Sequence, residues 1–188
     1  MKLLFLDFDG VLNDHYIPDG VSCGLIYWEK IQLVNHILRN TGAKIVVSSA
    51  WRYLIHRGEM NLKGLSWLLQ SHGLLADSLI GITDKDTDPK DWDGNPSSWV
   101  HTNERGQQIS TWLAFCDEPV ERYVVIDDLD LGITDHKHPF LHVDGTTGLR
   151  KEQADEVIKV LNMEVDVPYP RLTTSVGRQY ILSNGIYI

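Results

Sequence analysis

The hydrophobic and polar positions of the chain follow two different periods. Short, continuous apolar runs end in polar residues, which is typical of strands buried in a parallel sheet. Between these runs, apolar residues recur every three or four positions, which predicts helices packed on that sheet. The predicted strands cover residues 3–6, 43–47, 79–82, 123–126 and 140–143. The predicted helices cover residues 27–40, 62–71, 106–115 and 152–161.

This order of strands and helices indicates an α/β fold, a doubly wound parallel sheet with helices on both faces. We expect residues 1–165 to form this core. Residues 83–104, TDKDTDPKDWDGNPSSWVHTNE, follow neither period and predict a loop excursion that amounts to no more than a minimal cap. In the extension 166–188, the pair Asn184-Gly185 separates two short apolar runs and predicts a C-terminal β-hairpin.

Composition narrows the possible classes of function. The chain has 26 acidic and 17 basic residues, and its net charge of −9 argues against an extended surface for polyanions. Its two cysteines are isolated, which argues against zinc and favours a reduced protein, with one disulfide in a secreted protein as the alternative. No run approaches the roughly 20 apolar residues of a membrane span. We therefore expect a soluble, cytoplasmic protein without a membrane partner.

Two aspartates follow the first predicted strand, in the run Asp7-Phe8-Asp9-Gly10. Because the strand ends near Asp7, the turn can direct both carboxylates at one point. A carboxylate nucleophile divides a difficult displacement at phosphorus into two easier ones, and a second carboxyl group can protonate the leaving oxygen and then deprotonate water. The pair therefore indicates a metal or catalytic site, in which Asp7 would attack phosphorus and Asp9 would handle the proton. The alternative is an acidic turn with no catalytic role.

Two further polar pairs, Ser48-Ser49 and Asp127-Asp128, stand at the ends of predicted strands. Ligands of open parallel sheets bind beyond the carboxyl ends of the strands, so we expect these pairs to lie near the first acidic pair. Carboxylates packed together repel one another, and a divalent ion relieves that repulsion and neutralises a phosphate. Mg²⁺ prefers oxygen ligands and is the expected cofactor.

These runs resemble the motifs of the haloacid dehalogenase (HAD) superfamily. FLDFDGVLN is similar to the first motif of that family, IVVSSAWR to the second and VVIDD to the fourth. Over residues 1–162 the chain resembles the HAD domain of Swiss Army Knife RNA repair proteins, on the strength of SSAWR, HGL, IGIT, R-x-x-x-I-x-x-W-L, IDD and VDGTTGL. The resemblance implies a Rossmann-like HAD core and phosphatase chemistry through an aspartyl-phosphate.

The resemblance also implies a set of metal ligands. Asp128 is the first choice for direct ligation of Mg²⁺, together with Asp7 and the main-chain carbonyl of Asp9. Asp127 is then expected to support these ligands without contacting the metal directly, or to contact it through a water molecule.

The contacts to substrate follow from the same resemblance. Ser48 is the expected phosphate contact, with Ser49 as the alternative, and Gly10 is a further substrate contact. The third motif of the family is a lone basic residue, for which Arg105 is the candidate, although a solvated residue in the first turn of a helix would look the same. Arg52 either reaches the substrate or braces the next helix.

Asp9 narrows the implied reaction. The dehalogenase branch of the superfamily lacks the second acid, the ATPase branch carries threonine there, and a phosphomutase usually needs a substantial cap. We therefore expect a Mg²⁺-dependent phosphomonoester hydrolase acting on a nucleotide or a nucleic-acid 3′-phosphate. The alternatives are a small-metabolite phosphatase and a non-catalytic binding module with a HAD fold.

Several polar residues after the fourth motif are weaker candidates. We expect His136 and His138 to lie at the surface, with a position close to the metal as the alternative. Asp130 is a candidate for a further metal-linked carboxylate, ahead of Asp135. Asp144 is expected either to join the site or to cap the turn that follows it.

Overall fold

The computed structural model describes residues 1–14, 25–83, 105–164, 172–173 and 179–180. Its strands are β1 (Lys2–Leu6), β2 (Lys44–Val47), β3 (Leu79–Ile82), β4 (Arg122–Asp127), β5 (Phe140–His142), β6 (Leu172–Thr173) and β7 (Gln179–Tyr180). Its helices are α1 (Trp28–Thr41), α2 (Arg52–His56), α3 (Leu62–Ser71), α4 (Arg105–Ala114) and α5 (Lys151–Leu161). The predicted strands and helices of the core are confirmed to within one residue at each end, and the short α2 was not predicted.

The first five strands form one parallel sheet with the order β3-β2-β1-β4-β5. The strands that follow β1 are added first on one side of it and then on the other, so the strand order reverses between β1 and β4. Such a switch point opens a crevice beyond the carboxyl ends of the two strands, where open α/β sheets bind their ligands. The expected α/β fold with a Rossmann-like core is therefore confirmed.

The central strand β1 is buried on both faces and separates two hydrophobic clusters. One cluster combines Leu4 and Leu6 with apolar residues of α1, α3 and α5. The other combines Leu3 and Phe5 with Ile109 of α4. This arrangement explains the continuous apolar run in the sequence, because both faces of the strand need apolar side chains. Truncating any of these four β1 side chains to alanine would cost about 2–5 kcal/mol of stability.

The helices of the core present one apolar face to the sheet. In α1 that face includes Ile31, Val34 and Ile37. The helix ends at Gly42, which adopts a left-handed conformation with φ of 69° and donates its N–H to the carbonyl of Leu38. Within the described ranges, no helix combines the length and the apolar character that crossing a membrane requires.

Beyond residue 164 the structure describes one short pair of strands. β6 and β7 are antiparallel, with Leu172 opposite Tyr180 and Thr173 opposite Gln179. The predicted Asn184-Gly185 turn lies outside the described residues, as do residues 84–104 of the excursion. The C-terminal hairpin, the minimal cap and the division at residue 165 stay predictions.

Candidate active site

Three polar side chains stand at one edge of the sheet. Asp7 and Ser48 directly follow β1 and β2, and Asp127 is the last residue of β4. The main chain stays aligned past these ends, because the N–H of Asp7 donates to the carbonyl of Ile126 at 3.0 Å and the N–H of Ser48 donates to that of Leu6 at 3.1 Å. The sheet therefore places the three side chains side by side at its switch point.

Three carboxylates converge at this edge. Asp7, Asp127 and Asp128 are all buried, and each offers one oxygen that lies within 4.8 Å of the others. Burial raises the pKa of Asp7 well above its ordinary value, and the charge of Asp127 raises it further, whereas the charge of Arg105 lowers it. A group of three ionised carboxylates in this position therefore needs positive charge to offset their repulsion.

Arg105 supplies one such charge. Its side chain is buried, its Nη1 atom lies 3.4 Å from Oδ1 of Asp7, and the same atom donates a hydrogen bond to Oδ2 of Asp127. Burial lowers the pKa of Arg105, but the charges of Asp127 and Asp7 outweigh that effect and raise it, so the guanidinium stays ionised. The burial and the two ion pairs exclude a solvated position for this residue.

A close contact at Gly106 holds the first turn of α4 against the loop that follows β4. A β-carbon at this position would overlap with the carbonyl oxygen of Gly132, so the contact requires glycine. The N–H of Gly106 donates to the carbonyl of Leu131 at 3.3 Å, and its carbonyl accepts a hydrogen bond from Nε2 of His138 at 2.8 Å. The loop thereby fixes the main chain from which Arg105 extends.

The two neighbouring acids at the end of β4 are held differently. Both carboxylate oxygens of Asp127 accept protein hydrogen bonds, Oδ2 from Arg105 and Oδ1 from the N–H of Leu129 at 2.9 Å. Burial raises the pKa of Asp127, against the lowering effect of Arg105. The main-chain carbonyl of Asp128 accepts a hydrogen bond from Nε2 of His142 at 2.7 Å, which fixes the backbone that carries its side chain.

The converging group suits a divalent cation. Three carboxylates against one guanidinium leave two uncompensated negative charges in a buried place. Carboxylate oxygens are the donors that Mg²⁺ and Ca²⁺ prefer, and a divalent ion would balance the excess charge. Both the chemistry and the charge of the donor set therefore fit a metal ion.

The turn after β2 is built around two serines. The Oγ of Ser48 is fully buried, and no residue of the described ranges forms a hydrogen bond with it. Because buried hydroxyl groups are normally hydrogen-bonded, this oxygen is suited to a ligand. The Oγ of Ser49 instead accepts the N–H of Trp51 at 3.2 Å. The buried guanidinium of Arg52 donates to the carbonyls of Ser48 and Ser49 at 3.3 and 3.0 Å, and so braces the turn.

Asp9 has different surroundings from those of Asp7. Its Oδ1 accepts a hydrogen bond from Nδ2 of Asn13 at 3.0 Å, and its Oδ2 accepts one from the indole Nε1 of Trp51, also at 3.0 Å. Its carboxylate does not belong to the converging group found among the described residues. Both donors are neutral, so the carboxyl group of Asp9 is oriented without a counter-charge.

Comparison with protein families identifies the domain. The model of the family described as the HAD domain in Swiss Army Knife RNA repair proteins matches residues 3–154. The chain belongs to this family. The match begins in β1, ends within α5 and includes all the site residues described above. Comparisons with curated proteins and with solved structures find no match.

Two expected substrate contacts of this HAD domain are engaged within the protein. The N–H of Gly10 donates to Oδ1 of Asn13 at 2.6 Å, which closes the turn that carries Asp9. Through the two hydrogen bonds described above, Arg52 braces the turn of the two serines and not the helix that follows, and its contact with a substrate stays a prediction. The structure thus brings Asp7, Arg105, Asp127 and Asp128 together, and Gly10 and Arg52 shape the adjoining turns.

Among the weaker candidates, the expectation for His138 is wrong. Its side chain is only 3% exposed, because the loop after β4 folds back over the start of α4. The hydroxyl of Tyr123 donates to Nδ1 of His138 at 2.9 Å, and Nε2 donates to Gly106. Burial lowers the pKa of this imidazole, so it is held neutral. His136 is exposed, as expected.

Two aspartates of the loops after β4 and β5 cap turns. The carboxylate of Asp130 accepts the N–H of Thr134 at 2.9 Å as well as its hydroxyl group, and it does not belong to the converging group. Asp144 accepts the N–H and the hydroxyl of Thr146 at 2.9 and 2.7 Å, which confirms the turn cap expected for it.

Sequence reasoning missed several residues that hold the site, among them Asn13, Trp51 and Gly106. Asn13 lies four residues after Asp9 in the same turn, and a polar side chain at that spacing could have indicated the hydrogen bond between them. Trp51 and Gly106 act through contacts with distant parts of the chain, and nothing in their local sequence indicates those contacts.

Proposed function

We propose that this chain is a Mg²⁺-dependent phosphomonoester hydrolase that works through an aspartyl-phosphate on Asp7. The observation that carries the proposal is the position of Asp7, a buried carboxylate that converges with Asp127 and Asp128 and lies 3.4 Å from Nη1 of Arg105. A carboxylate that attacks a phosphate meets a group of its own charge. A cation bound by the three carboxylates, together with the fixed guanidinium, would offset that repulsion, and membership of a HAD family supports the same chemistry.

The reaction has two steps. In the first, a carboxylate oxygen of Asp7 attacks phosphorus while the bond from phosphorus to the leaving oxygen breaks, and Asp9 donates a proton so that the leaving group departs as an alcohol. In the second, Asp9 takes a proton from water, the water oxygen attacks phosphorus, and the bond to Asp7 breaks. Inorganic phosphate is released, and Asp7 returns to its carboxylate form.

Arg105 and Ser48 are proposed to hold the phosphoryl oxygens during both steps. A guanidinium has five N–H donors, so Arg105 retains donors for a phosphate beside those that face Asp7 and Asp127. The buried hydroxyl of Ser48 supplies a further donor at the end of the neighbouring strand.

Mg²⁺ is the proposed cofactor, with Asp128, Asp7 and the main-chain carbonyl of Asp9 as its ligands. When bound, it would neutralise the phosphate and relieve the repulsion within the acidic group. Since both oxygens of Asp127 already accept protein hydrogen bonds, we propose that Asp127 orients Arg105 and contacts the metal through water.

The proposed substrate is a nucleotide or the 3′-phosphate of a nucleic acid. Support comes from the family, which is described from RNA repair proteins. The net charge of −9 favours recognition of a phosphorylated end over binding along an extended polynucleotide. A small-metabolite phosphatase is the competing proposal.

The test is the variant Asp7→Asn, with Asp117→Asn, an exposed aspartate after α4, as the matched control. Phosphate release is measured with and without Mg²⁺ on 3′- and 5′-phosphorylated oligonucleotides, nucleotides, sugar phosphates and p-nitrophenyl phosphate. We expect Mg²⁺-dependent activity in the parent chain and the control, and a loss of about 10⁴-fold or more in Asp7→Asn. Full activity of Asp7→Asn would contradict the mechanism, and a parent chain that binds no Mg²⁺ and hydrolyses none of these esters would favour a binding module.

A further inference from the structure

The carboxyl group of Asp9 is held by donors from two separate turns. Asn13 belongs to the turn after β1 and donates to Oδ1, while Trp51 belongs to the turn after β2 and donates to Oδ2, each at 3.0 Å. Hydrogen bonds to both oxygens fix the plane of a carboxylate as well as its position. Asp9 therefore has one orientation relative to the strand ends that carry Asp7 and Ser48.

The indole of Trp51 is itself anchored to these two turns. Its main-chain N–H donates to Oγ of Ser49 at 3.2 Å, and its ring packs edge-on against Phe8 with ring centroids 5.5 Å apart. Phe8 is fully buried and stands between Asp7 and Asp9 in the chain. The donor that holds Asp9 is thereby attached to the segment that carries both aspartates.

The side chain of the second donor, Asn13, is also held in place. The side chain of Asn13 is buried, and its Oδ1 accepts the N–H of Gly10 at 2.6 Å. Because the acceptor end of the carboxamide is engaged there, its NH₂ end is the one that faces Asp9.

The two donors leave part of the Asp9 carboxylate available to a substrate. A carboxylate oxygen has two lone-pair sites, and each donor occupies one, so each oxygen of Asp9 retains a site that a substrate or a water molecule can contact. An indole N–H is a donor only, so Trp51 can hold Asp9 but cannot transfer a proton in its place. A phenylalanine at position 51 would retain a ring against Phe8 but could not donate to Asp9, so the tryptophan adds the hydrogen bond.

We propose that Trp51, assisted by Asn13, is a positioning residue for the acid–base chemistry of Asp9. It holds Oδ2 so that the carboxyl group stays directed at the leaving oxygen of the substrate. This inference rests on the proposed function. It implies a defect that depends on the leaving group, because an alkyl oxygen needs the proton from Asp9, whereas p-nitrophenolate departs without one.

The experiment compares Trp51→Phe, Asp9→Ala and the double variant, with kcat/KM measured in saturating Mg²⁺ on p-nitrophenyl phosphate and on glycerol 2-phosphate. Asp9→Ala should lower kcat/KM for the alkyl ester by about 10²- to 10⁴-fold. Trp51→Phe should lower it by about tenfold for the alkyl ester and by less than about threefold for the aryl ester, since one hydrogen bond to a charged group is lost. The double variant should match Asp9→Ala. Trp67→Phe, at an exposed position on α3, is the control and should match the parent chain on both esters.

A second measurement does not require a Trp51 variant to fold. The indole N–H resonance of Trp51 is recorded in the parent chain and in Asp9→Ala without substrate, and it should shift and exchange faster with water once its acceptor is removed. An unchanged resonance, equal losses on the two esters, or a further loss from Trp51→Phe in the Asp9→Ala background would overturn the role of Trp51 and leave the phosphatase proposal standing. If the parent chain hydrolyses neither of these esters nor any phosphorylated nucleotide or oligonucleotide, both proposals fail.

Discussion

Asp7 and Asp9 lie two residues apart on one turn, yet they belong to regions with opposite electrostatic character. The region around Asp7 is buried and charged, with two further carboxylates and the guanidinium of Arg105. The region around Asp9 is half-buried and neutral, with an indole and a carboxamide as donors. In the first region a guanidinium offsets part of the charge of three carboxylates, whereas in the second a single carboxylate is oriented by neutral groups.

The difference shows how one short motif can support two kinds of chemistry. In the proposed mechanism, the nucleophile has to stay beside the cation and the phosphate, while the proton carrier has to exchange a proton with substrate and water. Two carboxyl groups in one site take such separate roles when their surroundings differ. Here those surroundings are supplied by residues far along the chain, Arg105 for the first aspartate and Trp51 for the second.

The largest effect on the charged region around Asp7 is expected for Arg105→Met. In the proposed mechanism the guanidinium is a fixed positive charge beside the transferred phosphoryl group. Its loss should lower kcat/KM by about 10²- to 10³-fold. The loss should be similar for p-nitrophenyl phosphate and glycerol 2-phosphate, because Arg105 acts on the phosphate and not on the leaving group. Steady-state kinetics in saturating Mg²⁺ measures both values.

Arg39→Met, at an exposed position in the last turn of α1, is the control for removal of an arginine and should behave as the parent chain does. If Arg105→Met lost activity only on the alkyl ester, the assignment of charge stabilisation to one region and proton transfer to the other would be wrong.

A smaller effect is expected on stability in the presence of Mg²⁺. A cation that binds the folded acidic group and not the unfolded chain should stabilise the domain by about 2.7 kcal/mol when its concentration is 100 times its Kd. Thermal unfolding at increasing Mg²⁺ concentration measures this gain. Asp128→Asn should largely abolish it, whereas Asp117→Asn should preserve it. A full gain in Asp128→Asn would contradict the proposed role of Asp128 as a direct ligand.

The smallest effect concerns the pH dependence of stability. It depends on the imidazole of His138, which holds the main chain of Gly106 next to Arg105. Burial lowers the pKa of His138 below its ordinary value of 6.5, so the folded state takes up a proton less readily than the unfolded chain. Its contribution to stability is therefore complete above pH 6.5, and it is lost as the pH falls from there toward the lower folded pKa, by at most about 1.4 kcal/mol per pH unit.

Urea denaturation at a series of pH values between about 5 and 7 measures this slope. His138→Gln should flatten it and should also lower the free energy of unfolding near neutral pH by about 1 kcal/mol, because the hydrogen bonds to Gly106 and Tyr123 change. An identical slope in the parent chain and the variant would show that His138 does not take up the proton.

Much of the fold could be predicted from the sequence because burial on two faces leaves a local pattern. The continuous apolar run of β1 indicates a strand covered on both faces. The helical spacing of apolar residues in 62–71 indicates a helix covered on one face. The convergence of acidic side chains at the strand ends could also be predicted, since a parallel sheet brings the carboxyl ends of its strands to one edge. The candidate Arg105 came from the resemblance to a family motif, and its burial between two acids came only from the structure.

The remaining features depend on contacts between distant segments, which leave no local pattern. Trp51 meets Asp9 across 42 residues of sequence, and Gly106 fits against a loop that begins after β4. Helix α2 has only five residues, too few to show a helical period. His138 was assigned to the surface because a polar residue in a loop usually lies there, whereas tertiary packing buries it.

The burial of the ion pair between Arg105 and Asp127 predicts how phosphate binding at this site responds to salt. The two side chains are 8% and 0% exposed, and dissolved ions screen exposed charges far more than buried ones. If Arg105 holds the phosphate as proposed, its charge therefore keeps its strength as ionic strength rises. Exposed cations along a polynucleotide backbone behave in the opposite way, because each contact releases counterions and affinity falls steeply with added salt. A nearly level salt dependence is thus the signature of a domain that recognises only the phosphorylated end.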